Sequence, residues 1–172
     1  MRGTGARLAV SLVFVGLQTS AGGANGFAGV HTDLLLLFVL YVGMRDGERA
    51  GTLWGVLLGF FEDVFSAGFP GMNLLTKGLL GFTAGTLRSQ LDCGNPNTQS
   101  IVAVTATLAE GFVHLVLLHV FSAGREVIAP FLGTVLPEAL AHGVLLPVAV
   151  VARRAGARRV RLFGRRFVRP AA

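Results

Sequence analysis

The chain has 172 residues, of which 52% are hydrophobic and 14% are charged, and its mean hydropathy is +0.65. Soluble domains carry about 25% charged residues, so this composition excludes an ordinary soluble domain and predicts an integral membrane protein. The net charge of +6 does not indicate nucleic-acid binding, because eight of the fifteen basic residues lie after the last apolar run, between residues 153 and 172.

Six apolar runs follow one another along the chain and predict an all-α bundle of six transmembrane helices. The last two runs are each long enough for the roughly 20 residues that cross a hydrocarbon core. The first run follows Arg2 and Arg7, as a signal peptide would, but we favour a membrane helix because the rest of the chain is multispanning. The approximate ranges, which make one polytopic domain over residues 1–152, are 8–24, 26–44, 52–66, 71–87, 99–121 and 127–151.

The third and fourth runs form a predicted helical hairpin, which we take as the core of the fold. They meet at residues 67–71, where Pro70 and the flanking glycines interrupt helices, and Asn73 is a suitable first-turn or cap residue. Small residues recur at helical spacing in both runs and predict a stripe at which another backbone approaches closely. The predicted stripe consists of Gly55, Gly59, Gly71, Gly78, Gly81 and Gly85.

Charged side chains at membrane depth cost about 2.5 to 3.5 kcal/mol each, so each requires a partner or a function. Glu62 and Asp63 lie near the end of the third run, and Lys77 lies at a similar depth in the fourth. We therefore expect Lys77 to pair with Glu62 or Asp63 across the hairpin. At the start of the second run, Asp33 is expected to cap and support the helix N-terminus.

The fifth and sixth runs each carry a glutamate followed four residues later by a histidine, namely Glu110 with His114 and Glu138 with His142. Residues at this spacing share a helix face, so the four groups can form one buried cluster between antiparallel helices. We favour packing or subunit contact as its role; a proton relay and a zinc or iron site are alternatives. There is no HExxH motif and Cys93 is the sole cysteine, so we predict no metal and no cofactor.

Basic residues set the predicted orientation, because short loops rich in lysine and arginine stay in the cytoplasm. With both termini inside, thirteen of the fifteen basic residues face the cytoplasm, while Arg125 falls in an outer loop and Lys77 within a span. The basic cytoplasmic tail, residues 153–172, interleaves arginines with Val160, Phe163 and Phe167. This pattern predicts a helix that lies on anionic lipids of the inner leaflet, with a disordered stop-transfer tail as the alternative.

The segment from residue 31 to residue 85 resembles the rod shape-determining protein MreD family. That family typically has Pro-Asp followed by a leucine-rich helix, a short charged loop, a Gly-x-x-x-Gly pattern that runs into an aspartate, and a Pro/Leu-Gly-x-Asn/His-x-Leu turn into a glycine-rich helix. In this chain Thr32 stands where the family usually has the first proline. The corresponding residues here are Asp33 with the leucines 34–37, Arg45-Asp46-Gly47, Gly55 and Gly59, Asp63, and residues 70–75 with Gly71 and Asn73.

The resemblance implies a small bacterial inner-membrane protein that acts with MreC, and through it with the MreB filament and the peptidoglycan-elongating synthase and transpeptidase. It also implies a fold similar to the substrate-binding subunits of energy-coupling-factor vitamin transporters. A substrate-binding transport subunit is therefore the alternative function, and it predicts a small ligand that raises thermal stability.

We expect a non-enzymatic scaffold of the cell-wall elongation machinery, because the sequence contains neither a GxSxG motif nor a phosphate-binding Lys-Ser/Thr loop. Its glycine-lined hairpin and intramembrane polar groups are expected to dock partner transmembrane segments. The expected interaction site is Glu62, Asp63, Gly71 and Asn73, with Asp33 as support. A third hypothesis, a lipid or proton pathway built on Glu110 and Glu138, predicts loss of activity when either residue becomes glutamine.

Overall fold

The computed structural model describes residues 32–65, 70–121 and 128–167, and in these ranges all regular secondary structure is helical. The prediction of an all-α chain is confirmed for them. The predicted first span at 8–24, the start of the second run and most of the hairpin turn lie outside the described residues. The five helices are α1 (Leu34–Asp46), α2 (Glu48–Phe65), α3 (Met72–Leu87), α4 (Pro96–Phe121) and α5 (Ile128–Phe167).

A single residue, Gly47, separates α1 from α2, where the sequence predicted a charged loop of several residues. The Gly47 N–H donates to Gly43 O at 2.9 Å and closes α1, while the Gly51 N–H donates to Gly47 O at 3.0 Å and opens α2. Gly47 has a φ of +97°, a conformation that costs glycine little and other residues much more. The third predicted span therefore begins at Glu48 and not at Thr52.

The last helix does not end where the predicted span ends. Helix α5 continues through residue 151 to Phe167, with Pro137 and Pro147 inside it. The backbone of residues 153–167 thus continues α5 as a helix. Placement of that tail on an anionic leaflet stays a prediction.

Helix α1 is the centre of the bundle because it is apolar on every side. Leu36, Leu40 and Met44 pack on α3, α4 and α5, and the opposite face packs on α2. There the rings of Phe38 and Trp54 meet edge to face, with their centroids 5.5 Å apart. A helix that is hydrophobic all round belongs in an interior, and α1 carries none of the exposed large apolar side chains.

Two helices are long and apolar enough to cross a membrane by length and composition. These segments are Pro96–Leu117 in α4 and Leu132–Ala155 in α5, each with a mean hydropathy of 1.8. Large apolar side chains such as Val116, Leu140 and Val144 remain exposed on them. A bilayer covers such surfaces, whereas water would not.

Helices α2 and α3 form the predicted hairpin, and their backbones touch along a glycine stripe. A methyl group on Gly55 would overlap the carbonyl oxygen of Lys77, and one on Gly59 would overlap that of Asn73. Opposite them, Gly81 and Gly85 lie against the backbones of Gly51 and Glu48. Gly78 is less crowded, since its nearest neighbour would be Val56 Cγ2 at 3.0 Å.

This stripe is filled by the chain's own hairpin, so these glycines do not offer a free groove to another protein's helix. Gly71 is not part of the stripe at all: a methyl group there would meet nothing within 4 Å, and its φ is +88°. The sequence predicts Gly71 in the stripe because it lies seven residues before Gly78, and this prediction is wrong. In the structure it is the turn residue that precedes α3.

Candidate functional site

Lys77 is the centre of a polar cluster that draws together four of the five helices or their ends. Its side chain is 1% exposed, and its Nζ lies 2.6 Å from Asp33 Oδ2, 2.7 Å from Glu62 Oε2 and 2.8 Å from Glu110 Oε1. The carboxylates come from the start of α1, the end of α2 and the middle of α4. We call this group of four side chains the Lys77 cluster.

Asp33 has two tasks in this cluster, one for each carboxylate oxygen. Oδ1 accepts hydrogen bonds from the N–H groups of Leu35 and Leu36 at 2.9 and 3.0 Å, which is the expected helix cap. Oδ2 faces Lys77 Nζ. The start of the buried helix α1 is thereby fixed directly to α3.

The cluster contains three carboxylates and one ammonium group. Lys77 Nζ donates a hydrogen bond to Glu110 Oε1, while Glu62 Oε2 has the ammonium ion as its neighbour but no hydrogen-bond partner within the described ranges. Glu62 is also the most exposed of the three acids, at 22%.

A second group of polar side chains continues from Asp33 towards α5. The Asp33 N–H donates to His142 Nε2 at 3.0 Å and to Glu138 Oε1 at 3.2 Å. His142 is fully buried, and its Nδ1 lies 2.8 Å from Thr107 Oγ1 on α4. The Lys77 cluster and His142 therefore share Asp33 as their link.

The hydrogen bonds define the form of the His142 ring. Nε2 accepts from the Asp33 N–H, so Nδ1 carries the proton of a neutral imidazole. The Thr107 hydroxyl donates to Ala103 O at 2.9 Å and accepts from His142 Nδ1. Each polar atom of this chain is thereby satisfied, as burial requires.

Replacing Thr107 with valine tests this chain of hydrogen bonds. Valine has nearly the shape of threonine but leaves the buried Nδ1–H of His142 without an acceptor, which costs about 1 to 3 kcal/mol. We expect a lower midpoint of thermal unfolding in detergent. Thr105→Val is the matched control, because Thr105 is exposed on the same helix and bonds only to backbone oxygens of its own turn. Equal midpoints for the two variants would contradict the assignment.

Asp63 acts at the turn of the hairpin and not in the Lys77 cluster. Its Oδ2 accepts hydrogen bonds from the N–H groups of Gly71 and Leu74, both at 3.0 Å, and its Oδ1 accepts from the Asn73 N–H at 3.1 Å. These N–H groups open α3 and have no partner within the helix. The end of α2 thus caps the start of α3, and the negative charge lies at the positive end of the helix dipole.

The contacts of Lys77 and Asp63 decide several predictions made from the sequence for the hairpin. Lys77 does pair with Glu62, but its predicted alternative partner Asp63 caps α3 instead. Asn73 supplies its backbone N–H to Asp63, so the capping side chain predicted there comes from α2. Gly71 directly precedes α3 and, as a glycine, has no side chain that could cap the helix.

The predicted cluster of two glutamates and two histidines is wrong in its pairing. Glu110 is bound to Lys77, and His142 is bound to Thr107 and to the Asp33 backbone. Glu138 remains near its helix neighbour, with its Oε1 3.8 Å from His142 Nε2. His114 is half-buried on α4. Within the described ranges, no three His, Cys, Asp or Glu side chains are arranged to hold a metal ion.

Two features of the site were not predicted from the sequence: the part played by Thr107, and the ion pair that Asp33 makes with Lys77 in addition to capping α1. A signal for Asp33 existed, because Lys77 is the sole cation within the apolar runs and every acid at its depth competes for it. Thr107 gives no such signal, since threonines in membrane helices commonly bond to their own helix backbone, as Thr105 does.

Comparison with known proteins gives one match. The family model described as rod shape-determining protein MreD matches residues 8–151. This range includes every member of the Lys77 cluster, His142, and the glycine stripe. No curated protein and no solved structure matches the chain.

Proposed function

The chain belongs to the rod shape-determining protein MreD family, and from this premise we propose that it is a non-enzymatic scaffold of the bacterial cell-wall elongation machinery. Membership gives the chain a role in rod shape determination and places it among membrane proteins. The scaffold role is our proposal. Its partners would be MreC and, directly or through MreC, the MreB filament and the peptidoglycan synthase and transpeptidase.

The proposed topology is that of a multi-pass inner-membrane protein with both termini in the cytoplasm. Six spans would result if the run at 8–24 adds one helix to the five described, in a bundle similar to the energy-coupling-factor substrate-binding subunits. Support comes from charge, because Arg45, Arg88 and Arg153 line one cavity and so lie at the same end of the bundle. Clustering of arginines at one end is typical of the cytoplasmic side.

One observation carries the scaffold proposal: the polar side chains at membrane depth are bound to one another, and the helices turn apolar side chains outward. Lys77, Asp33 and Glu110 form ion pairs inside the bundle. On α2 the exposed apolar side chains include Leu57, and those near the C-terminal end of the helix are aromatic. Partner contacts would then be made by helix surfaces in the bilayer or by short loops.

We place the contact with MreC at the hairpin end formed by Glu62, Asp63, Gly71 and Asn73. Asp63 would act there by shaping the turn, because its carboxylate is occupied by the N–H groups of α3. The exposed rings of Phe60, Phe61 and Phe65 are adjacent on α2. Aromatic side chains at the core of an interface supply much of its binding energy. Anionic lipids would contact the basic tail, and the proposal includes no nucleic-acid partner.

Separate replacement of Asp63 and Gly71 with alanine tests the proposal. Asp63→Ala leaves the first N–H groups of α3 without their acceptor, and Gly71→Ala forces alanine into a left-handed conformation. We expect each variant to recover several-fold less MreC from membranes and to fail to support rod shape. The readouts are co-purification of MreC and cell morphology at matched protein levels.

Gly133→Ala is the control for this experiment, because a methyl group on Gly133 meets nothing within 4 Å and the residue lies on α5. It should keep both MreC recovery and rod shape. Normal rods and full MreC recovery in both hairpin variants would refute the proposed contact. A small metabolite that stabilises the purified protein at micromolar concentration would favour the alternative, a transport subunit.

A further inference from the structure

Four arginines surround a cavity at the end of the bundle opposite the Lys77 cluster. The cavity has a volume of about 320 Å³, and Arg45, Arg88, Arg153 and Arg154 line it. They come from the ends of α1 and α3 and from α5. The described residues of the lining include no aspartate and no glutamate. We call this feature the arginine cavity.

Two of the guanidinium groups are held around one aromatic ring. The Cζ atoms of Arg153 and Arg45 lie 5.0 and 5.9 Å from the centroid of Tyr41, and Arg45 Nη1 donates to the Tyr41 hydroxyl at 2.8 Å. Arg154 Nη1 is fixed by the carbonyl of Gly94 at 3.1 Å. Like charges fixed so close together repel, and an anion between them removes the repulsion and gains charge-assisted hydrogen bonds.

Gln99 fixes part of the cavity wall. Gln99 is 2% exposed, and its Nε2 donates to Cys93 O at 2.9 Å. Its Oε1 has no hydrogen-bond partner in the part of the chain that the structure describes. Because this oxygen is itself buried, a ligand in the cavity does not reach it, and the role of Gln99 is to hold the Cys93 backbone in the cavity wall.

The position of the cavity distinguishes a lipid from a dissolved anion. Buried Met44 and Val150 form part of its lining, beside the arginines. Arg153 lies within the apolar segment Leu132–Ala155. The lining therefore changes from apolar to cationic at the depth where lipid headgroups begin, if the proposed topology holds.

We propose that the arginine cavity binds the phosphate of an anionic phospholipid such as phosphatidylglycerol. The phosphate would lie among the guanidinium groups, and the acyl chains would leave the cavity towards the bilayer. This inference rests on the membrane orientation given under the proposed function. It assigns a ligand to a region that the contact with MreC does not use.

The test uses the full chain, purified in a neutral detergent and titrated with short-chain phosphatidylglycerol, short-chain phosphatidylcholine or glycerol 3-phosphate. Binding is measured by native mass spectrometry and by the shift in unfolding temperature. We expect phosphatidylglycerol to bind and the other two to bind at least tenfold more weakly. Equal binding of glycerol 3-phosphate would overturn the lipid assignment, and equal binding of phosphatidylcholine would overturn the anion site.

Single charge removals locate the site. Arg45→Gln and Arg153→Gln should each weaken phosphatidylglycerol binding about tenfold, the loss expected for one charge-assisted contact. Arg49→Gln removes the same charge from an exposed residue of α2 outside the cavity lining and should leave binding unchanged. An equal loss in all three variants would mean attraction by net charge alone and would refute the proposal.

The same preparations separate this proposal from the scaffold proposal. Arg45→Gln and Arg153→Gln should still recover MreC at wild-type amounts. If MreC fails to co-purify with the wild-type chain while phosphatidylglycerol binding persists, the scaffold contact fails and the arginine cavity stands. If MreC is recovered but phosphatidylglycerol does not bind selectively, the reverse holds.

Discussion

Replacement of Lys77 with methionine is expected to destabilise the protein by about 3 to 5 kcal/mol, the cost of removing one partner from a buried ion pair. Methionine fills most of the volume but leaves Asp33, Glu62 and Glu110 facing one another without their cation. The start of α1 loses its attachment to α3 at the same time. Thermal unfolding in detergent and the amount of protein retained in membranes measure the effect.

The control for this change is Leu79→Met on the same helix, because the Leu79 side chain is apolar and exposed. It should leave the unfolding midpoint within a degree or so of wild type, since exposed substitutions stay within about 0.5 kcal/mol. Combining Lys77→Met with Asp33→Asn, Glu62→Gln and Glu110→Gln should restore part of the loss, because no uncompensated charge remains. A Lys77→Met protein as stable as wild type would show that the cluster does not hold the helices together.

Replacement of Gly55 with alanine is expected to cost about 3 kcal/mol or more, although alanine is the better helix former by up to about 1 kcal/mol. The added methyl group would overlap the carbonyl carbon and oxygen of Lys77, which belong to backbone and cannot rotate away. Helices α2 and α3 must therefore separate, and the Lys77 side chain moves with α3. The unfolding midpoint in detergent and the level of folded protein in membranes are the measurements.

Gly133→Ala makes the same chemical change but is not expected to lower the stability of the protein. Its methyl group meets no neighbouring atom within 4 Å, so the helix propensity of alanine should leave stability unchanged or slightly higher. The contrast between the two alanines isolates helix contact from backbone preference. Similar midpoints for both would show that α2 and α3 do not depend on close approach at Gly55.

Much of the fold follows from the sequence because apolar runs of sufficient length can only be membrane helices or buried ones. The long runs in α4 and α5 and the hairpin of α2 and α3 are of this kind. The ends of α1 and α2 around Gly47 are harder to predict from the sequence, because charged residues such as Arg45 and Glu48 suggest a loop. In the structure they occupy helix ends, where charged side chains reach water without interrupting the helix.

The Lys77 cluster shows which ion pairs can be predicted from a sequence and which cannot. Lys77 and Glu62 face each other across one hairpin, so their pairing follows from local geometry. The contact of Lys77 with Glu110 joins residues 33 positions apart on helices that meet only through the packing of the bundle. Depth identifies the acids that need a cation, but tertiary packing decides which of them obtains it.

The glycine stripe illustrates the same limit. Spacing of four residues predicts that Gly55 and Gly59 allow close approach, and it does not tell which helix approaches. Helix α3, the other helix of the hairpin, occupies the stripe, and Asp63 caps its start. A helix from another protein must use a different surface.

The order of the residues in the Lys77 cluster also bears on biogenesis. The ribosome completes Asp33 and Glu62 before Lys77, and Glu110 emerges last. Two acids therefore enter the insertion machinery ahead of the lysine that neutralises them, and the third follows it. Release of the nascent segments into lipid as independent helices would leave these charges without partners, so we expect the early spans to remain together until residue 110 has been made.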